Sequence, residues 1–175
     1  SLRKLNIFLP KEAISGKANG DLTLNIEKGS PILFDLKSDL IGVGIDVPVL
    51  SWEKETTVPA NFEISGSFSK PITISQFKLT SEGLSTWGDM AFDDMGLNNI
   101  SLNDLKVGKW LSSDVVLQKQ DPGKPMQIIL SGGALDLRNL PVNKSTGATA
   151  PIIANLNTVR ISKNLALTNV SATFL

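Results

Sequence analysis

Three aspartates, Asp89, Asp93 and Asp94, are the residues with the most obvious potential for chemistry, and they lie close to Trp87 in the sequence. Paired carboxylates are typical of glycoside hydrolases, and clustered carboxylate oxygens are typical of calcium sites. These aspartates lack the Asp/Asn-Gly spacing of a calcium-binding loop. The segment therefore favours a solvated turn, and an enzyme built on carboxylates is the weakest of three functional hypotheses.

Two Ser-x-x-Lys sequences, Ser51–Lys54 and Ser67–Lys70, have the spacing that places a nucleophilic serine beside a lysine on one helical face. Both lie in strand-like or turn-like segments, where residues i and i+3 point to opposite faces. Ile41–Ile45 contains two glycines but lacks the third glycine and the following helix of a dinucleotide-binding loop. Ser131–Gly133 could form an anion-binding nest, although a β-bulge or tight turn is the favoured interpretation.

Asp136 and Arg138 are two positions apart and share a sheet face if the strand that contains them continues. Opposite charges at this spacing favour an ion pair or hydrogen bond that fixes a turn over a catalytic pair. We therefore predict a structural role for these two residues.

The residue types that the chain lacks restrict its function further. It contains no His, Cys or Tyr, which argues against zinc sites and excludes thiol catalysis and disulfides. Seventeen basic residues balance 17 acidic ones, so no net positive charge is present to attract nucleic acid. We expect a protein that is not an enzyme, needs no metal or cofactor and does not bind nucleic acid.

Two neighbouring segments alternate between apolar and polar residues with the period of a β-strand. We expect the apolar residues of both segments to line one face of two paired strands. They are Ile41, Val43, Ile45 and Val47 in the first segment, and Phe62, Ile64 and Phe68 in the second.

Similar strands are predicted along almost the whole chain, separated by Gly-, Pro-, Asn- and Asp-rich turns. The predicted strands span 5–9, 21–27, 32–38, 41–50, 58–68, 72–80, 84–92, 100–107, 115–118, 126–130, 134–137, 152–161 and 165–174. Helical periodicity is nowhere sustained, and the only helix candidates are 102–110 and a turn after Leu137. The sequence therefore predicts a mainly antiparallel all-β fold with very little helix.

Two blocks of sequence resemble a known family. Asp39-Leu40, Val47-Pro48, Leu50, Trp52 and Lys54 match one of its patterns, and residues 128–137 (IILSGGALDL), continuing into Arg138, match another. Both are similar to AsmA-like proteins, in particular to large alphaproteobacterial envelope proteins with a YhdP-type AsmA-like C-terminal region. The matched blocks span residues 39–54 and 128–138, and the family's N-terminal membrane anchor is absent from this chain.

This resemblance implies a fold, a location and a partner. Such proteins resemble bridge-like lipid transfer proteins, in which a strongly twisted, curved β-sheet forms an elongated groove. The groove is anchored in the inner membrane, extends across the periplasm and holds phospholipid acyl chains. The resemblance thus implies that residues 1–175 are one β-rich segment of a longer protein, which reaches membranes through regions outside this chain.

The main alternative is a self-contained β-sandwich for binding or adhesion, with its apolar faces sealed against each other. Apolar faces that enclose an open channel would favour the lipid groove, whereas apolar faces that form a sealed core would favour the β-sandwich. If the chain is a segment of a longer groove, its terminal strands also expose unpaired edges. Association of copies through an edge strand such as 165–174 is then expected.

Overall fold

A computed structural model describes residues 13–121, 123–141 and 150–174. These residues form thirteen β-strands and two 3₁₀ turns, and the described part of the chain contains no α-helix. The strands are β1 (Ile14–Gly16), β2 (Asp21–Asn25), β3 (Leu33–Ser38), β4 (Val43–Val47), β5 (Trp52–Lys54), β6 (Ala60–Ser67), β7 (Thr73–Ser81), β8 (Leu84–Asp93), β9 (Gly96–Val107), β10 (Leu111–Gln118), β11 (Gln127–Asp136), β12 (Ile152–Arg160) and β13 (Ala166–Phe174). The 3₁₀ turns are Pro48–Leu50 and Leu137–Asn139.

Ten of the strands form one large open sheet in the order β13-β12-β11-β10-β9-β8-β7-β6-β3-β2. All its neighbouring pairs are antiparallel except β11 and β12, which run parallel. The all-β, mainly antiparallel fold expected from the alternation is therefore confirmed. β2 and β13 form the two edges of this sheet.

The other three strands form a small sheet in the order β1-β4-β5, which we call the cap. β4 and β5 are inserted between β3 and β6, which are themselves paired in the large sheet. The cap packs on the large sheet through Trp52, whose indole Nε1 donates to the Glu82 carbonyl at 2.8 Å. Glu82 lies in the tight turn between β7 and β8, so the cap sits along the rim of the sheet.

Bulges cross the large sheet and bend its strands. Register shifts occur on β8 near Thr86 and on β10 at Ser113, and Asp104 of β9 adopts φ +46°. At the register shift on β8, the buried Thr86 hydroxyl donates to the Asn103 carbonyl of the neighbouring strand at 3.1 Å. Bulges increase the local twist of a sheet, and these irregularities lie at the same level on adjacent strands.

Several sequence predictions are wrong in detail. The helix candidate at 102–110 is the end of β9 and the turn that follows it, and the segments 126–130 and 134–137 are one continuous strand, β11. The sequence did not predict β1 or β5, and the predicted strand 41–50 ends at the 3₁₀ turn Pro48–Leu50. The predicted turn after Leu137 is confirmed. The predicted strand 5–9 lies outside the described residues.

Candidate functional site

One face of the large sheet carries unbroken rows of apolar side chains. Residues directly opposite each other on paired strands lie on the same face, so a row can be followed from strand to strand by register. The first row is Leu22, Leu36, Ile64, Phe77, Gly88, Leu102, Val115, Leu130, Ala154 and Ala172. It crosses all ten strands without a polar residue.

A second row runs beside the first and is also free of polar residues. It consists of Leu24, Phe34, Gly66, Ile74, Met90, Ile100, Leu117, Ile128 and Ile152. Phe34 is also stacked on Phe68, with ring centroids 4.7 Å apart. We call the surface formed by the two rows the apolar face.

The opposite face of the sheet is mostly polar. Lys37, Glu63 and Lys78 lie opposite one another on β3, β6 and β7, and their charges alternate. The exposed Trp87 lies next in this row, on β8. An apolar exception, Val116, Ile129 and Ile153, crosses β10 to β12 on this side. The sheet therefore separates an apolar surface from a largely polar one.

The cap covers part of the apolar face. Trp52 is 7% exposed and forms a core cluster with five buried side chains of β8 to β10: Leu84, Leu105, Val107, Leu111 and Val115. Ile45, Val47 and Leu50 of the cap pack against this cluster from above. We call this region the covered part, and it is a sealed two-layer core.

A second cluster, around Phe77, lies beside the covered part on the apolar face, and Leu102 and Leu117 contact both clusters. Phe77 and Ile100 are 5% and 8% exposed, and every described side chain in the cluster belongs to the large sheet or to Met126, directly before β11. Towards β2 the rows become more exposed, and Leu22 and Leu24 are about half exposed. No described residue of the cap belongs to this region, which we call the open part.

The seven residues that the sequence places on one surface lie in two different sheets. Val43, Ile45 and Val47 belong to β4, which pairs with β1 and β5, whereas β6 pairs with β3 and β7. The expected pairing of the two segments is therefore wrong. Phe62, Ile64 and Phe68 lie on the side of the large sheet that carries the rows, and Ile41 is half exposed in the turn before β4.

Lys54 of the cap is the most deeply buried charged residue of the described chain, with 3% exposure. Its ammonium donates to the carbonyls of Leu40 and Val43 at 2.8 Å each and to that of Glu55 at 3.2 Å. Leu40 lies in the chain entering the cap, Val43 is the first residue of β4, and Glu55 lies in the chain leaving the cap. Lys54 therefore links the segment before β4 to the segment after β5 by hydrogen bonds. The sequence did not predict this role.

The two family-like blocks meet in the covered part. The first block forms the cap and its entry, where the Asp39 carboxylate accepts the Ile41 N–H at 3.0 Å. The second block is β11, and its Leu130 and Leu135 pack against the cluster that contains Trp52. Both blocks thus contribute to the same packing contact between cap and sheet.

The residues that could do chemistry are held in structural contacts. Lys119 contacts both carboxylate oxygens of Asp93, at 2.9 and 3.1 Å, and its hydrogen bond lowers the Asp93 pKa. Asp89 accepts a long hydrogen bond, 3.3 Å, from the Ser101 hydroxyl. Among the described residues, no three carboxylates, histidines or cysteines are grouped to hold a metal ion.

Neither Ser-Lys sequence has the geometry of a nucleophile and its base. Ser51 is exposed in a left-handed turn, while Lys54 is buried against backbone carbonyls. The Ser67 hydroxyl contacts those of Ser69 and Thr73. Glycines 132 and 133 form a bulge in β11, with φ values of +69° and +67°.

Asp136 and Arg138 form a bidentate ion pair at the end of β11. Arg138 Nε donates to Asp136 Oδ1 at 2.8 Å and its Nη2 donates to Oδ2 at 2.6 Å, while Asp136 Oδ1 also accepts the Arg138 N–H and so caps the 3₁₀ turn. These hydrogen bonds hold the pKa of the Asp136 carboxyl at about 2, below its ordinary 3.8. The pair fixes the direction in which the chain leaves β11.

Within the described ranges, no helix has the length and apolar character needed to cross a bilayer. Comparison of the chain with protein-family models, with curated proteins and with solved structures finds no match in any of the three.

Proposed function

We propose that this chain is a lipid-holding segment of an AsmA-like protein of the bacterial cell envelope. In this proposal the open part of the apolar face holds phospholipid acyl chains, and the polar face remains in water. The protein binds and conducts lipid rather than transforming it. It works in the periplasm and reaches the inner membrane through regions outside this chain.

The observation that carries the proposal is the pair of apolar rows. Nine inter-strand spacings of about 4.8 Å give the first row a length of about 43 Å across the sheet. Part of this row lies in the covered part; the open part, which also has no polar side chain in the rows, offers an acyl chain about 0.8 kcal/mol per buried CH₂ and no directional bonds. A lipid could therefore move along the rows without breaking hydrogen bonds.

The burial of the Phe77 cluster favours a curved surface. Phe77 and Ile100 are almost fully buried, although the described side chains packed on them come from the sheet itself and from Met126. Side chains on a flat single-layer sheet would be exposed on their outer side, so this burial favours a sheet that bends toward its apolar face. The bulges near Thr86 and Ser113 provide a means of bending it.

A sealed β-sandwich for binding or adhesion is the second candidate, and the covered part favours it. There, Trp52 and its partners form a core of buried side chains contributed by both the cap and the large sheet. The two candidates make different claims about the open part, which the sandwich would require to be covered as well.

Site-specific photo-crosslinking separates them. A photoreactive amino acid at Ile64 or Met90 of the apolar face should capture phospholipid in the full-length protein in cells, with the adduct identified by mass spectrometry. The matched control positions are Glu63 and Asp89, the adjacent residues that point to the polar face. Lipid adducts at both faces in equal yield, or at neither, would contradict the proposal.

A charge placed in each part gives an independent test. Ile64→Asp puts a carboxylate at the open part, where it can reach water, and should impair lipid transport more than it lowers the amount of folded protein. Leu105→Asp puts the same group in the covered part, at a side chain that is 2% exposed, and should unfold the protein because an unpaired buried charge is very costly. Equal unfolding by both substitutions would favour the sandwich.

A further inference from the structure

A cleft of about 470 Å³ lies at the rim of the large sheet, beside the turn between β9 and β10. Its walls come from that turn and from the ends of β11 and β12, and they include Lys109, Trp110 and Arg160. This volume is within the range of small-molecule sites in proteins, roughly 300–1,000 Å³.

The cleft has an excess of positive charge. Lys106, which also lines it, is neutralised by Asp104 at 2.8 Å. The carboxylate of Asp136, its one acidic wall residue, is occupied by the two hydrogen bonds from Arg138. Lys109 and Arg160 form no close ion pair with any described residue, although Arg160 lies directly opposite Asp136 in the sheet and its charge, after the hydrogen bond from Arg138, helps to lower the Asp136 pKa. The three cations that line the cleft, Lys106, Lys109 and Arg160, therefore outnumber its single carboxylate.

The remaining walls suit a ligand with a polar and an apolar end. The hydroxyl groups of Ser112 and Thr158 line the cleft and make no hydrogen bond to other described residues. Trp110 supplies apolar surface at the cleft, whereas Leu111, which also borders it, is buried in the covered part. A guanidinium, an ammonium and free hydroxyls are the donors that bind phosphate oxygens most effectively.

We propose that this cleft binds the phosphate group of a phosphate ester, with Arg160 and Lys109 as the ligating cations. The inference rests on the proposed function in one respect: the expected source of the ester is a phospholipid head group held at the rim of the lipid-holding sheet. A free phosphate ester has the same charged group, so the two sources must be separated by experiment.

Isothermal titration calorimetry of the purified chain with glycerol 3-phosphate and with dihexanoyl phosphatidic acid tests the site. Both ligands should bind, and Arg160→Gln and Lys109→Gln should each weaken binding about tenfold, the loss expected for one charge-assisted hydrogen bond. Tighter binding of the lipid identifies a head group as the source, whereas equal affinities identify a free phosphate ester. Either result upholds the phosphate site.

Lys78→Gln is the matched control, since it removes an exposed lysine from the polar face away from the cleft. It should leave the affinity unchanged, and circular dichroism should show that all three variants remain folded. No saturable binding, or the same loss in the Lys78 variant, would overturn the proposal. Crosslinking at Ile64 does not involve the cleft, so its outcome tests the lipid-holding face separately.

Discussion

Replacing Lys54 with methionine tests whether a buried ammonium holds the cap on the large sheet. The substitution keeps the length and much of the volume of the side chain but removes all three of its hydrogen bonds to backbone carbonyls. Hydrogen bonds from charged groups contribute about 1.5–3 kcal/mol each, net of their competition with water. Three such bonds would give an upper limit of about 5–9 kcal/mol for the loss.

Two effects reduce this loss. Methionine does not have to be dehydrated as an ammonium does, and that penalty amounts to several kcal/mol for a buried ion. The Leu40 carbonyl would also keep its hydrogen bond from the Val43 N–H at 3.1 Å, so it would not be left unpaired. We therefore expect Lys54→Met to lower the free energy of unfolding by about 2–3 kcal/mol.

Urea denaturation measures the total loss, and native-state hydrogen exchange shows where it occurs. Amide exchange in β4 and β5 should accelerate about 30-fold or more, which corresponds to 2 kcal/mol or more, while β8 to β10 change less. Lys78→Met, at an exposed position, should change stability by less than about 0.5 kcal/mol. If Lys54→Met is as stable as the parent and its cap amides exchange at the parent rate, the ammonium does not hold the cap.

Three further changes test other parts of the fold. Gly133→Ala should lower the free energy of unfolding, measured by urea denaturation, by more than about 1 kcal/mol, because the added Cβ would lie 1.9 Å from the Ser112 carbonyl of β10 and φ is +67°. Gly29→Ala, where φ is +87° but no atom lies within 4 Å, should lower it less. Asp136→Asn should lose the stabilisation by Arg138. Since the folded-state pKa of Asp136 is depressed, that contribution is complete above about pH 4 and disappears as the pH falls toward 2, so the stabilities of the parent and the variant should converge there. The unpaired edge strand β13 should cause the protein to associate as its concentration rises, and Leu167→Lys on this strand should weaken that association. Analytical ultracentrifugation measures both, and a parent protein that stays monomeric at high concentration would contradict the expectation.

Most strands of the large sheet could be predicted because alternation is a local property. β6, β7, β8 and β12 each lie within one or two residues of the predicted bounds. Where the alternation breaks, prediction failed for a physical reason. Asp104, at φ +46°, is an extra residue in β9, so Leu102 and Leu105 share a face although they are three positions apart. A spacing of three looks helical, which explains the wrong helix candidate.

The cap could not be predicted because its stability depends on contacts with distant backbone. The sequence around Trp52 contains Glu53, Lys54 and Glu55, which is typical of a solvated turn, yet Lys54 is buried. The carbonyls that satisfy its ammonium come from residues up to 14 positions away. Carbonyl oxygens carry no residue-specific signal, so no pattern of side chains could reveal this arrangement.

The prediction that β4 pairs with β6 was wrong because strand alternation shows which residues share a face but does not show which strand lies beside which. Two consecutive apolar strands usually pair when a short turn joins them. Here β5 follows β4 directly and takes that position, which leaves β6 to pair with β3 across the inserted cap. The candidate site was consequently only half predicted: the β6 residues lie on the large sheet, and the β4 residues lie in the layer that covers part of it.

The position of the cap gives the two functional candidates a common physical basis. An isolated sheet with one apolar face is unstable in water, because that face must be buried against protein or ligand. The cap buries the rim around Trp52 and gives the sheet a sealed core that needs no ligand. With the fold stabilised there, the open part of the apolar face need not be closed by protein. A protein that holds exchangeable lipid requires this division, because a face whose folding depended on its ligand would lose its structure each time the ligand left.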